Sequence, residues 1–153
     1  MQFTVVTIHE SGYEVVELHD QGSGTRVQLY SFGALLNAFT IPTKTGTING
    51  IDGFTSINDA VANATAGFKS SKLSPFVCRM QHGKYRFNQK EYTINGFYLG
   101  EHAIHGLLFN AAFDITDTKS TATEASVIFS HQYKGTDPGY PFPFTLHVKW
   151  KLT

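Results

Sequence analysis

Apolar and polar residues alternate with a period of two along much of this chain. The C-terminal stretch shows it most plainly. Phe144, Leu146, Val148, Trp150 and Leu152 fall on one face; Thr145, His147, Lys149, Lys151 and Thr153 fall on the other. A strand with one face packed and one face wet reads this way, because successive side chains leave a pleated backbone on opposite sides. Residues 26–30 repeat the pattern, with Val27 and Leu29 opposed to Arg26 and Gln28. Upstream, residues 3–8 and 13–18 are β-branched and leucine-rich runs separated by Ser11-Gly12, and residues 35–41 form a fourth run that Pro42 is expected to stop.

The pattern lapses between residues 42 and 72, which read as an insertion between strands. Within it Ser56-Ile57-Asn58-Asp59-Ala60-Val61-Ala62-Asn63-Ala64 is the chain's helix-like stretch. Ser56 is the expected N-cap, with Asp59 three residues on, and Ile57 and Val61 are expected to share a face. Strand signals then return at 75–80, 84–87, 91–94, 107–115 and 124–131. Asn88-Gln89 is the expected turn of a hairpin, Asn95-Gly96 marks another turn, residues 100–106 read as a histidine-rich loop, and residues 116–123 as a polar connection. About ten short strands, spaced roughly 8–14 residues apart, predict an all-β, antiparallel sandwich or barrel.

Composition narrows the field without naming a chemistry. The chain has 153 residues, enough for one domain, 1–153. Charged residues are 16% and formal net charge is zero, so no global field favours nucleic acid or an anionic membrane, and neither is expected as a partner. Aromatic residues reach 14%, which favours pleated surfaces. No apolar run approaches the ~18 residues of a membrane span. The start lacks the basic and apolar regions of a signal peptide, and the single cysteine, Cys78, precludes an internal disulfide. A cytoplasmic protein is the expectation.

Few residues invite chemistry. Glu101-His102-Ala103-Ile104-His105 gathers two imidazoles and a carboxylate. The order is not that of a helical zinc motif and no third ligand stands at zinc-like spacing, so neither a metal nor a cofactor is expected; histidines bonding to backbone are the plainer alternative. Arg79 interrupts an apolar run, Val77-Cys78-Arg79-Met80. Buried there, its guanidinium would need acceptors or a cleft, and its fork of donors suits hydroxyl or carboxylate oxygens; a snorkelling edge arginine is the alternative. His131 and His147 read as surface or satisfied histidines, and Cys78 as an inert core thiol.

The order of segments resembles the aldose 1-epimerase (galactose mutarotase) family. The stretch Cys78-Arg79-Met80 leads into Gly83-Lys-Tyr85-Arg-Phe87-Asn-Gln-Lys-Glu-Tyr92-Thr-Ile94, similar to the family's Asn-Arg-Ile strand and the Gly-x-(Tyr/Phe)-x-(Phe/Leu) segment after it. Ala103-Ile104-His105-Gly106 resembles its Leu-His-Gly loop, Gly139-Tyr140-Pro141 its Gly-(Tyr/Phe)-Pro turn, and Gly33-Ala34 its early Gly-Ala. Two departures stand beside the matches: Cys78 occupies the place of the family's asparagine, and Leu107 the place of a second glycine.

The resemblance implies a β-sandwich of the mutarotase type that binds a monosaccharide, an aldohexose, and interconverts its α and β anomers. It implies that Arg79 and His105 bind the sugar's hydroxyls. The family is about twice as long, and its catalytic acid and base belong to the second half. The chain therefore reads as an N-terminal half without a catalytic pair of its own. A homo-oligomer or a complex with a C-terminal half is expected, and a non-catalytic sugar-binding or assembly module is the alternative function.

Overall fold

The computed structural model describes residues 2–153. Five strands form an antiparallel meander in sequence order: β1 (Phe3–Glu10), β2 (Tyr13–Asp20), β3 (Arg26–Tyr30), β4 (Leu35–Thr43) and β5 (Gly46–Asn49). Its first turn shows why the order is local. Glu10 pairs with Tyr13, leaving two residues, Ser11 and Gly12, both at positive φ (53° and 84°). That backbone matches the right-handed twist of the flanking strands, and glycine adopts it without cost. A second antiparallel sheet comprises β11 (Asp114–Ser120), β12 (Ala125–Tyr133) and β13 (Phe144–Leu152), with β12 central.

The two sheets bury their apolar faces against each other. Val16, Leu18, Val27 and Leu29 of the meander meet Ala125, Val127, Phe129 and Leu152 of the second sheet. The opposite face of the meander is covered by other means. Val15, Tyr30 and Leu35 pack against Phe109 and the helix α1 (Ile57–Asn63), through Ile57, Ala60 and Ala64 just beyond its end. Ser56 caps α1 as expected, its Oγ accepting from the Asp59 N–H at 3.1 Å. The buried stripe is 57, 60 and 64, while Val61 is 42% exposed. A helix this short shows the sheet a narrow face, and the i, i+3 partner takes it.

In chain order, between α1 and β11, come small pieces: β6 (Arg79–Met80), a single 3-10 turn (Gln81–Gly83), the hairpin β7 (Lys84–Phe87) and β8 (Lys90–Thr93), then β9 (Tyr98–Leu99) and β10 (His102–Ile104). Strands β6, β10 and β9 make a third sheet in that order. The Asn88-Gln89 turn forms as expected, with φ of 47° and 63°.

Several sequence expectations are corrected. Pro42 does not end β4; it pairs with Thr47 of β5 beyond Thr40, the last β4 residue opposite β3, where no strand remains to accept its missing N–H. Residues 75–80 contribute only Arg79 and Met80 to a strand, because Cys78 has a φ of 56° and breaks the pleat. The loop at 100–106 contains β10. Strand β11 lies along the supposed polar connection, because it is a largely exposed outer strand that needs no apolar face. Among the described residues no helix is long and apolar enough to cross a membrane.

Candidate functional site

The third sheet brings Arg79 and His105 together. Arg79 pairs with Ile104 across β6 and β10, and the His105 N–H donates to the Cys78 carbonyl at 3.1 Å. Arg79 of β6 and His105, the residue just after β10, thus become near neighbours though far apart in sequence. The loop after His105 is held backbone to backbone. Gly106 has a φ of 74°, and a Cβ there would run into the carbonyl of Ser74. That carbonyl accepts from the N–H groups of Leu107 (2.7 Å) and Leu108 (3.3 Å). Glycine is required at 106 for both reasons, its backbone angle and the close approach.

His105 is seated on aromatic carbon. Its ring meets Phe68 edge to face, 4.5 Å between centroids, and Phe68 in turn packs on Phe97 (5.6 Å) and Phe109 (5.1 Å). Its Nδ1 is buried and has no hydrogen-bond partner. Nδ1 is left without a partner in either tautomer, as a buried donor or as a buried acceptor. Nε2 makes no hydrogen bond among the described residues and is open to a ligand, as donor or acceptor according to the tautomer.

Of the two readings of Arg79, the structure fits the edge arginine: β6 is an edge strand and Arg79 is exposed, as are Val77 and Cys78, so its guanidinium stands in water and is free to reach a ligand. Cys78 is correspondingly not a core thiol. The apolar run around Arg79 is exposed because the broken pleat at Cys78 turns it away from the core.

The other candidates go elsewhere. His102 faces His82, not His105: its Nδ1 accepts from the His82 N–H at 3.1 Å and the rings lie 5.1 Å apart. Glu101 lies 3.8 Å from His82, both well exposed. Among the described residues no group of three His, Cys, Asp or Glu side chains is arranged to hold a metal ion. His131 bonds the Ala112 carbonyl at 2.7 Å and His147 the Ser130 hydroxyl at 2.6 Å. Near Gly106 a cavity of about 360 Å³ is lined by Asn95, Phe97, Leu107 and Phe109, but by neither Arg79 nor His105. Phe68, Ser74 and His82 were invisible as site residues in the sequence; Phe68 lies in the inserted stretch, where no periodicity marks a contact partner.

The sequence model of the family described as aldose 1-epimerase matches residues 14–153. The chain belongs to the aldose 1-epimerase family. Solved structures agree on the fold. A galactose 1-epimerase from Lactobacillus acidophilus NCFM superposes with a TM-score of 0.76 at 18% identity, over 99% of this chain and 45% of that one. A galactose mutarotase-like protein from Clostridium acetobutylicum gives 0.76 at 15%, over 99% and 46%. An aldose epimerase homologue from C. elegans gives 0.68 at 23%, over 96% and 41%. Among curated proteins no sequence matches. The chain therefore spans less than half the length of these structural relatives, and its sheets are those of the galactose mutarotase-like fold.

Proposed function

We propose that this chain is the sugar-holding part of an aldose 1-epimerase. An aldohexose would bind at β6 and β10, with Arg79 donating to sugar hydroxyls through its fork of N–H groups and His105 bonding them through Nε2. The observation that carries this reading is the pairing that sets Arg79 beside the His105 loop.

Anomer exchange needs more than a grip. The C1 hydroxyl must lose a proton while the ring oxygen gains one; the C1–O5 bond opens, the aldehyde rotates and the ring closes. Each transfer needs a placed group, worth about 10²–10⁴-fold in rate. Arg79 cannot be the base, since its pKa exceeds ~12. The acid and base are assigned to a further piece of polypeptide, in keeping with relatives more than twice as long. A homo-oligomer or a complex with a C-terminal half would cover the open edge of β13, which pairs on one side only. A sedimentation experiment showing a clean monomer at micromolar concentration would remove the homo-oligomer.

A non-catalytic monosaccharide-binding module is the second reading, favoured by the same two residues, which hold without shuttling protons. Titration with D-galactose and D-glucose, followed by NMR, tests the site that both readings share. Arg79→Ala and His105→Ala should each weaken binding on the order of 10- to 100-fold, as for a lost hydrogen bond to a charged or well-placed donor. Equal affinity in wild type and both variants would discard the site. Polarimetry on fresh α-anomer separates the readings: acceleration well above buffer by the lone chain would place a catalytic pair inside it.

A further inference from the structure

The segment between α1 and β6 has almost no regular structure, yet it carries both supports of the His105 loop: the ring of Phe68 and the carbonyl of Ser74. Something must fix it. Phe68 and Ser70 both have positive φ, 51° and 54°, a conformation that local propensity disfavours. The contacts that hold it lie at Lys69, whose ammonium donates to the Asp52 carboxylate at 2.9 Å and the Gly53 carbonyl at 3.1 Å, and at Ser70 and Lys72. The Ser70 Oγ accepts from the Leu36 N–H of β4 at 3.0 Å. The Lys72 ammonium donates back to the Ser70 carbonyl at 2.6 Å and stands 4.9 Å from the ring centroid of Trp150 on β13. Trp150 is itself anchored, its Nε1–H donating to the Ala34 carbonyl at 3.1 Å.

Lys72 is largely withdrawn from water, unusual for a lysine without a carboxylate partner. Its two contacts are those an ammonium makes well: a short charge-assisted bond to a carbonyl and an aromatic face. A methionine or leucine would fill that space at lower cost. A charge retained there at a cost in stability points to a job other than packing.

We propose that Lys72, clamped between Trp150 and the Ser70 carbonyl, is a positioning residue that fixes the 68–74 segment and through Phe68 sets the ring of His105. It touches no sugar. It makes the last strand and the candidate sugar site one mechanical unit, since displacing Trp150 releases Lys72, and releasing Lys72 lets Phe68 turn away from the imidazole. The inference takes its purpose from the sugar-binding reading, but its geometry can be tested apart from it.

The variant is Lys72→Met, which keeps an apolar stem against Trp150 and removes only the ammonium. It should unfold at the same or a higher temperature than wild type. The His105 Hε1 resonance, which reports ring current from Phe68, should nevertheless move, and affinity for D-galactose should fall between about twofold and thirtyfold. Greater stability with a weaker site is a combination that plain structural damage does not produce. If Lys72→Met leaves the His105 resonance and the affinity as in wild type, the clamp is wrong. If wild type binds no sugar, the sugar reading fails, while the His105 resonance still decides the clamp. An independent check uses unmodified protein: NOEs between the Lys72 methylenes and the Trp150 indole are expected, and their absence overturns the arrangement.

Discussion

The packed sheets and the belt from residue 64 to residue 113 draw on similar residues and are held in different ways. In the sheets, side chains do the holding. Phe129, Leu18, Leu29 and Val127 are fully buried, and each is one beat of a period-two pattern. In the belt, side chains such as Ile94 and Leu108 are also buried, but backbone contacts do much of the holding. Ser74 grips Leu107 and Leu108 through one carbonyl, Gly106 passes where no Cβ fits, and Phe68, Ser70, Cys78 and His105 all take positive φ. The first kind of order is written in residue type. The second is written in what two stretches of main chain do when they meet. The candidate site belongs to the second kind.

The largest expected effect falls on the sheets. Phe129→Ala empties the middle of the core and should cost about 3–5 kcal/mol. That is a large part of an ordinary domain's stability of about 5–15 kcal/mol. Urea unfolding should show a lower midpoint with an unchanged slope. A loss under about 1 kcal/mol would mean the two sheets do not share one core.

Next is a pH effect, and it joins the two regions. Burial pushes Lys72 down from 10.5 to about 8. The folded chain therefore releases this proton near pH 8, while the unfolded chain keeps it to about 10.5. Between those values the unfolded state binds more protons, so stability should rise with pH, reach its full value above about 10.5, and be lost as pH falls through 8. The ceiling is about 3 kcal/mol, lowered by the Ser70 bond and the Trp150 ring, which both favour the ammonium. Lys72→Met should abolish this rise, as read from urea midpoints across that window. Parallel curves for the two proteins would place Lys72 in water.

The sequence showed the sheets well because alternation reports burial directly. Arg26–Tyr30 and Phe144–Leu152 could be drawn to their ends. It also showed Arg79 and His105, but only through the order of family-like segments; nothing in their own neighbourhoods tells that Ile104 lies opposite Arg79. Cys78 misled because an apolar run was read as buried, while a single positive φ turns the run outward. Phe68 and Lys72 could not be read at all. The rings they meet are distant in sequence, and neither an aromatic nor a lysine in a polar stretch carries a period.

Gly106→Ala sharpens the contrast at a lower energy. The left-handed backbone alone should cost about 1–3 kcal/mol, and the Ser74 carbonyl must also move. In hydrogen exchange, the amides of Leu107 and Leu108 should lose protection while those of β12 keep theirs relative to global unfolding. Uniform loss in both would mean that belt and sheets open together, and the distinction between them would fail.

The smallest effect is at the edge between the two regions. Ser56 caps α1, which lies on the outer face of the meander just before the belt begins. Ser56→Ala removes the acceptor for the Asp59 N–H and should cost about 1 kcal/mol. The Asp59 carboxylate accepts from the Thr55 N–H and hydroxyl and from Asn63, bonds that hold it below the usual carboxylate range. It keeps those partners in the variant, so the first turn should loosen without unwinding. Ile57 and Ala60 remain under Val15 and Tyr30. The test is whether the loosening travels: Phe68 follows the helix closely, so a helix that anchors the belt would shift the His105 Hε1 resonance along with the Ser56 change. The clamp at Lys72 predicts that it does not, because the segment is fixed again at Ser70 and Lys72. A His105 shift in Ser56→Ala as large as that in Lys72→Met would move the anchor of the site from β13 to α1.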